Sequence, residues 1–149
     1  MGSTTAFLAR RAAQVITLEP DPELAEGARL RFRHDPKVRV IEATSEAGLP
    51  MALEGVSGDV AFWLDGHHSG AGTFLGEAVT PIVQELAFIE AALPSFRRVA
   101  VLVDDMRLFA RKDSGYPDFS VLTNWAFANS LHCTVEQDIF IAASVSGTG

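Results

Sequence analysis

Phe62-Trp63-Leu64-Asp65-Gly66-His67-His68-Ser69-Gly70 and Val101-Leu102-Val103-Asp104-Asp105 decide how this chain is read. Each is a short apolar run that stops abruptly on carboxylates. Buried parallel strands read as continuous Val/Leu/Phe runs, and open α/β sheets bind ligands just beyond the carboxyl ends of such strands. Three aspartates and two histidines are thereby delivered to one rim of a sheet. That rim is the candidate site.

Outward from these runs the pattern alternates. Residues 3–13 read as a helix with Ser3 or Thr4 as its cap, and Gln14 to Leu18 as a β-branched strand ending at Glu19-Pro20. Asp21 to His34 has a capping aspartate, proline at the first helical position, and Leu24, Ala28, Leu30 and Phe32 for one face. Val38 to Ala43 is apolar, 45–54 a short helix, and Asp59 to Leu64 the strand of the first run. Residues 66–79 are a glycine-rich loop. Thr80 to Phe96 is a helix with Ile82, Leu86, Ile89 and Leu93 at three- and four-residue steps. Arg98 to Val103 is the second strand, Arg107 to Asp118 a polar loop, Phe119 to Leu131 a helix, and Thr134 to Ala142 one or two closing strands. Ser144 to Gly149 reads as a loose tail. Trp63 and Trp125 read as core. Strands alternating with helices predict a single α/β domain over 1–149, with a mostly parallel sheet covered on both faces.

Composition narrows the partners. Of 149 residues, 48% are hydrophobic and 21% charged, an ordinary globular balance. The net charge of −7, from 12 basic and 19 acidic residues, argues against nucleic acid or an anionic membrane as principal partner. No run approaches a membrane span, and the opening residues do not read as a signal peptide. Cys133 is the single cysteine, which excludes an intrachain disulfide and a cysteine metal cluster. A cytoplasmic setting is expected.

With these elements in order, the chain resembles the class I S-adenosylmethionine-dependent methyltransferases. LDGHHSGAGTFLG, TPIVQEL, LVDDMRLF, GYPDF and QDIFIA are similar to a group of bacterial methyltransferase-like proteins found with sugar and natural-product enzymes. The resemblance implies a Rossmann-like sheet of order 3-2-(1)-4-5 with a closing strand or hairpin beyond the fifth. It also implies a first strand and glycine-rich loop ahead of Met1, of which Gly2, Ser3 and Thr4 look like the tail. Without that strand its neighbours would stand about 9.6 Å apart, two strand spacings, so they must pair directly or another segment or chain must fill the slot. A homo-oligomer is one such solution.

The site residues follow from residue chemistry and the resemblance together. Glu19, ending the second strand, suits the ribose hydroxyls of S-adenosylmethionine, or else caps the next helix. Thr44 and Ser45 stand where the family meets the adenine, with Thr44 replacing an acid. Asp65, Asp104 and Asp105 offer hard oxygen ligands for Mg²⁺ or Mn²⁺. The alternative is that they cap turns and pair with Arg107 or Arg111. Asp65 also serves cofactor and catalysis in the resembled pattern. His67 is either the general base for a hydroxyl proton or a support for its own loop. The expected activity is metal-assisted O-methylation of a small hydroxylated sugar or natural product. The competing expectation is a degenerate, non-catalytic binding module of the same fold. No GxGxxG or GxxxxGK segment supports a nucleotide-phosphate alternative.

Overall fold

Helices and strands alternate along the chain as the hydropathy pattern predicts. The computed structural model describes residues 3–65, 80–111 and 113–145. They fall into two units, Met1–Glu54 and Gly55–Gly149.

The first unit runs α1 (Ser3–Ala9), β1 (Val15–Leu18), α2 (Pro22–Phe32), β2 (Val38–Ile41) and α3 (Ser45–Leu53). β1 and β2 pair in parallel, from Val15 opposite Val38 to Leu18 opposite Ile41. α2 starts where its capping signal predicts: Asp21 Oδ1 accepts from the Glu23 and Leu24 amides at 2.9 and 3.1 Å, and Pro22 follows. Its buried stripe centres on Ala25, while Leu30, expected on that face, is exposed. Gly48 lets α3 lie close to β1, since a Cβ there would meet Leu18 Cδ2 at 2.9 Å and Ala43 Cβ at 3.1 Å.

The second unit runs β3 (Gly58–Leu64), α4 (Ile82–Ala92) with a 3₁₀ turn at Leu93–Ser95, β4 (Phe96–Val103), α5 (Met106–Phe109), α6 (Ser120–Ala128), β5 (His132–Glu136) and β6 (Ile139–Ala143). Its sheet has the order β3-β4-β6-β5. β3 and β4 are parallel, with Asp59 opposite Arg98 and Leu64 opposite Val103. The closing hairpin β5–β6 runs antiparallel to β4 on its other side. The expected α/β class, and the expected adjacency of residues 58–65 and 98–104, are therefore present. Gln137 and Asp138, both at positive φ (49° and 70°), make the two-residue turn that matches strand twist in a tight hairpin.

Phe62 and Leu64 of β3, Val99, Val101 and Val103 of β4, and Phe140 and Ala142 of β6 are buried. Ile82, Leu86 and Ile89 of α4, and Leu122, Trp125 and Ala126 of α6, add to this core. Each fully buried aliphatic or Phe side chain contributes about 1.5–3 kcal/mol by leaving water.

Three expectations need correction. Trp63 is exposed, because side chains alternate along β3 and its neighbours Phe62 and Leu64 take the buried face. The segment 107–118 is not wholly loop: α5 forms there because Met106 and Phe109, three residues apart, bury together. Ser144 is not loose, since its Oγ accepts from Val99 N at 2.6 Å and its amide donates to Val99 O at 2.9 Å. Among the described residues, no helix is long and apolar enough to cross a membrane.

Candidate functional site

Carboxylates appear at the strand ends as the sequence predicts. In the first unit Glu19 follows β1 directly and extends its ladder: Glu19 N donates to Ile41 O at 3.0 Å, and Glu19 O accepts from Ala43 N at 3.2 Å. Its Oε1 accepts from the Asp21 amide at 3.0 Å, so one oxygen braces the turn into α2. Oε2 has no partner among the described residues, which leaves an acceptor for a ligand hydroxyl. Thr44 is the N-cap of α3, its Oγ1 accepting from Ala47 N at 3.4 Å, and Ser45 is the first residue of that helix. Ser3 and Thr4 lie in the first turn of α1, while Gly2 lies outside the described residues.

In the second unit the β3–β4 ladder continues past the strands, with Asp104 N donating to Leu64 O at 2.9 Å. That bond brings Asp65 beside the Asp104–Asp105 pair. Asp104 Oδ1 accepts from Asp105 N at 2.8 Å. Asp105 is buried and left-handed, at φ 61°, a conformation that aspartate tolerates better than most side chains. Its Oδ1 lies 2.5 Å from Arg107 Nη2. The same guanidinium bonds Asp138 Oδ2, and the Arg107 amide donates to Asp138 Oδ1 at 2.7 Å. The Met106 amide donates to Asp138 O at 2.9 Å. The hairpin turn is thus fastened to the start of α5. Asp138, first, and then Asp105 hold the Arg107 guanidinium even more firmly protonated than usual.

Tyr116 belongs to the same neighbourhood. Its ring meets Phe109 edge-on at 5.1 Å, and its amide donates to Ser114 Oγ at 3.2 Å. Burial raises its phenol above the ordinary tyrosine range, and the negative charges of Asp105, Asp65 and Glu85 raise it further. Glu85 is itself buried on α4. Sequence reasoning does not reach Tyr116, Glu85 or Asp138 as site residues. Only Asp138 carries a local signal, a turn-forming aspartate between two runs rich in β-branched residues.

His67 and His68 lie outside the described residues, as does the whole loop 66–79. Among the described residues, no three acidic, histidine or cysteine side chains are arranged to hold a metal ion. Asp105 faces the Arg107 guanidinium, so that carboxylate as folded already has a cationic partner. Glu19 does fit a ribose diol, since a carboxylate with one oxygen uncommitted can accept hydroxyl hydrogens.

No family model matches the chain, and no curated protein matches it. Solved structures do. An rRNA-methylase candidate from Clostridium thermocellum superposes with a TM-score of 0.59 at 12% identity, over 95% of this chain and 81% of that one. A methyltransferase candidate from Streptococcus mutans, in complex with SAH, also gives 0.59 at 12% identity, over 97% and 83%. The N-methyltransferase NodS from Bradyrhizobium japonicum gives 0.54 at 12% identity, over 95% and 78%. The chain has the fold of these methyltransferases.

Proposed function

We propose that the chain is an S-adenosylmethionine-dependent methyltransferase acting on the hydroxyl of a small molecule. The observation that carries the reading is Glu19 at the end of β1, with one carboxylate oxygen uncommitted among the described residues, in a chain whose fold is shared with solved methyltransferases, one of them in complex with SAH. The cofactor, when bound, would supply an electrophilic sulfonium methyl. In the first unit Glu19 would accept the ribose hydroxyls, with Thr44 and Ser45 toward the adenine, and Ser3 and Thr4 toward the methionine end. In the second unit Asp65 would orient the acceptor hydroxyl, and His67 would take its proton, as a neutral imidazole can near pH 7.

The name of the Clostridium neighbour raises an RNA acceptor as a second reading. The net charge of −7 disfavours a polyanion, whose binding rests on basic side chains that neutralise phosphates. Calorimetric titration with S-adenosylmethionine is the test. Binding weakened at least about tenfold by Glu19→Ala supports the reading, as expected for loss of charge-assisted hydrogen bonds. No binding by the intact protein would favour the degenerate module.

A further inference from the structure

Arg107 stands where the acidic rim would otherwise need a cation. We infer that the carboxylates ending β4 are served by this internal guanidinium, with Asp105 as its structural partner and not a ligand of a divalent metal. Asp105 is buried, with its side chain 8% exposed, and a buried carboxylate requires a counter-charge or hydrogen-bond donors. Arg107 Nη2 supplies one at 2.5 Å. The same guanidinium reaches Asp138 on the β5–β6 turn, and the Met106 and Arg107 amides bond that residue too. One planar cation therefore spans two carboxylates that are distant in sequence, a geometry a guanidinium forms well.

A divalent ion needs several oxygen ligands at once. To recruit Asp105 it would have to displace the Arg107 guanidinium from that carboxylate, while the Met106 and Arg107 amides would still hold Asp138. Asp104 Oδ1 is turned to the Asp105 amide, so Asp104 could offer a cation its other oxygen, one ligand where several are needed. Arg107 is accordingly a positioning residue: it fixes the direction of Asp105 and, through Asp138, of the turn. This deepens the methyltransferase reading, since it assigns the charge balance of the same rim, yet the two can fail separately. Loss of cofactor binding would sink the activity and leave the melting behaviour below unchanged.

Melting curves of the full chain with and without millimolar Mg²⁺ or Mn²⁺ test it. The wild type is expected to shift by less than about 1 °C. Arg107→Gln should melt lower by about 3–6 °C and should gain a divalent-dependent rise that Asp105→Asn removes. Arg107→Lys should recover part of the lost stability, because an ammonium cannot match the fork. A wild-type rise above about 3 °C overturns the inference, whichever substitution abolishes it. A folded Arg107→Gln protein without a gained response overturns it too. If Arg107→Gln does not fold, calorimetric titration of the wild type with Mn²⁺ decides alone: saturable binding refutes, its absence supports.

Discussion

An aspartate–arginine cluster lies at each end of β3 and β4, two arginines on one aspartate at the amino end and one arginine on two aspartates at the carboxyl end. At the amino end Asp59 takes a two-pronged contact from Arg97, at 2.8 and 2.7 Å, and a third from Arg98. At the carboxyl end Arg107 spans Asp105 and Asp138. The Asp59 side chain is 36% exposed and both its arginines reach into solvent, whereas that of Asp105 is 8% exposed. Water screens the first cluster and adds little to what the ions would find unfolded. Asp105 alone breaks the likeness, since Arg107 at 60% and Asp138 at 32% are about as exposed as Arg98 and Asp59; removing Arg107 therefore strands one buried charge. Hydrogen bonding is similar at the two ends; the burial of Asp105 and the backbone amides held by Asp138 are what set the carboxyl end apart.

Asp138→Ala should therefore be the most damaging single change in either cluster. It removes the acceptor for the Arg107 amide and guanidinium, and it puts alanine at φ 70°. We expect the melting temperature to fall by about 5–8 °C, and Asp138→Asn to recover part of this, because asparagine accepts at the turn and tolerates the left-handed region. A fall no larger than that of Asp59→Ala would erase the distinction between the ends.

The amino end has its own constraint, but it lies in the backbone. Gly58 begins β3 at φ 84°, and a Cβ placed there would meet nothing within 4 Å, so substitution is strained and not crowded. Gly58→Ala should cost about 1–2 kcal/mol in urea unfolding. A neutral result would mean the turn before β3 relaxes freely.

Legibility in the sequence follows the range of the interaction. The Asp21-Pro22 start of α2, the strands β3 and β4 and the carboxylates beyond them can be read because each is encoded within a few residues, and the pairing of the two strands follows from the order of elements. The exposure of Trp63 is hidden, because a run of apolar residues masks the alternation that a sheet imposes on it. α5 is invisible to periodicity because four residues give too short a period. Arg107 is one of two candidate partners for the acids, yet its tie to Asp138 crosses 31 positions and has no local signature. The site is legible as a set of acids, but which acid is already engaged is not.

Asp59 should matter little, and only in acid. Hydrogen bonds from Arg98 and then Arg97 hold its carboxyl well below the ordinary carboxylate range. A depressed folded value means that its contribution is complete above the unfolded value and is lost as pH falls through the folded one, hence below about pH 4. Asp59→Asn should change the melting temperature by no more than about 1–2 °C at pH 7, less still in high salt, and should flatten the acid limb of the stability profile. A large, salt-insensitive loss at neutral pH would place Asp59 with the buried cluster.

The smallest effect is the most local. Tyr116 is the sole tyrosine of the chain, so the ultraviolet tyrosinate band reports on the carboxyl-end cluster alone. Burial raises its pKa first, and Asp105, Asp65 and Glu85 raise it further. Its titration midpoint should therefore lie above the ordinary tyrosine value near 10. For a group raised on folding, the associated stability is intact below the unfolded value and is lost as pH climbs through the folded one, so the cost falls in strong alkali. Asp105→Asn keeps the volume and removes the charge, and should lower the midpoint only in part, because burial remains. Asp59→Asn, at the other end of the same strands, should leave it where it is. Mg²⁺ should also leave it unmoved, since a cation on these carboxylates would cancel the field that raises the phenol. A midpoint that Mg²⁺ lowers as far as Asp105→Asn does would put a metal on the rim in place of Arg107.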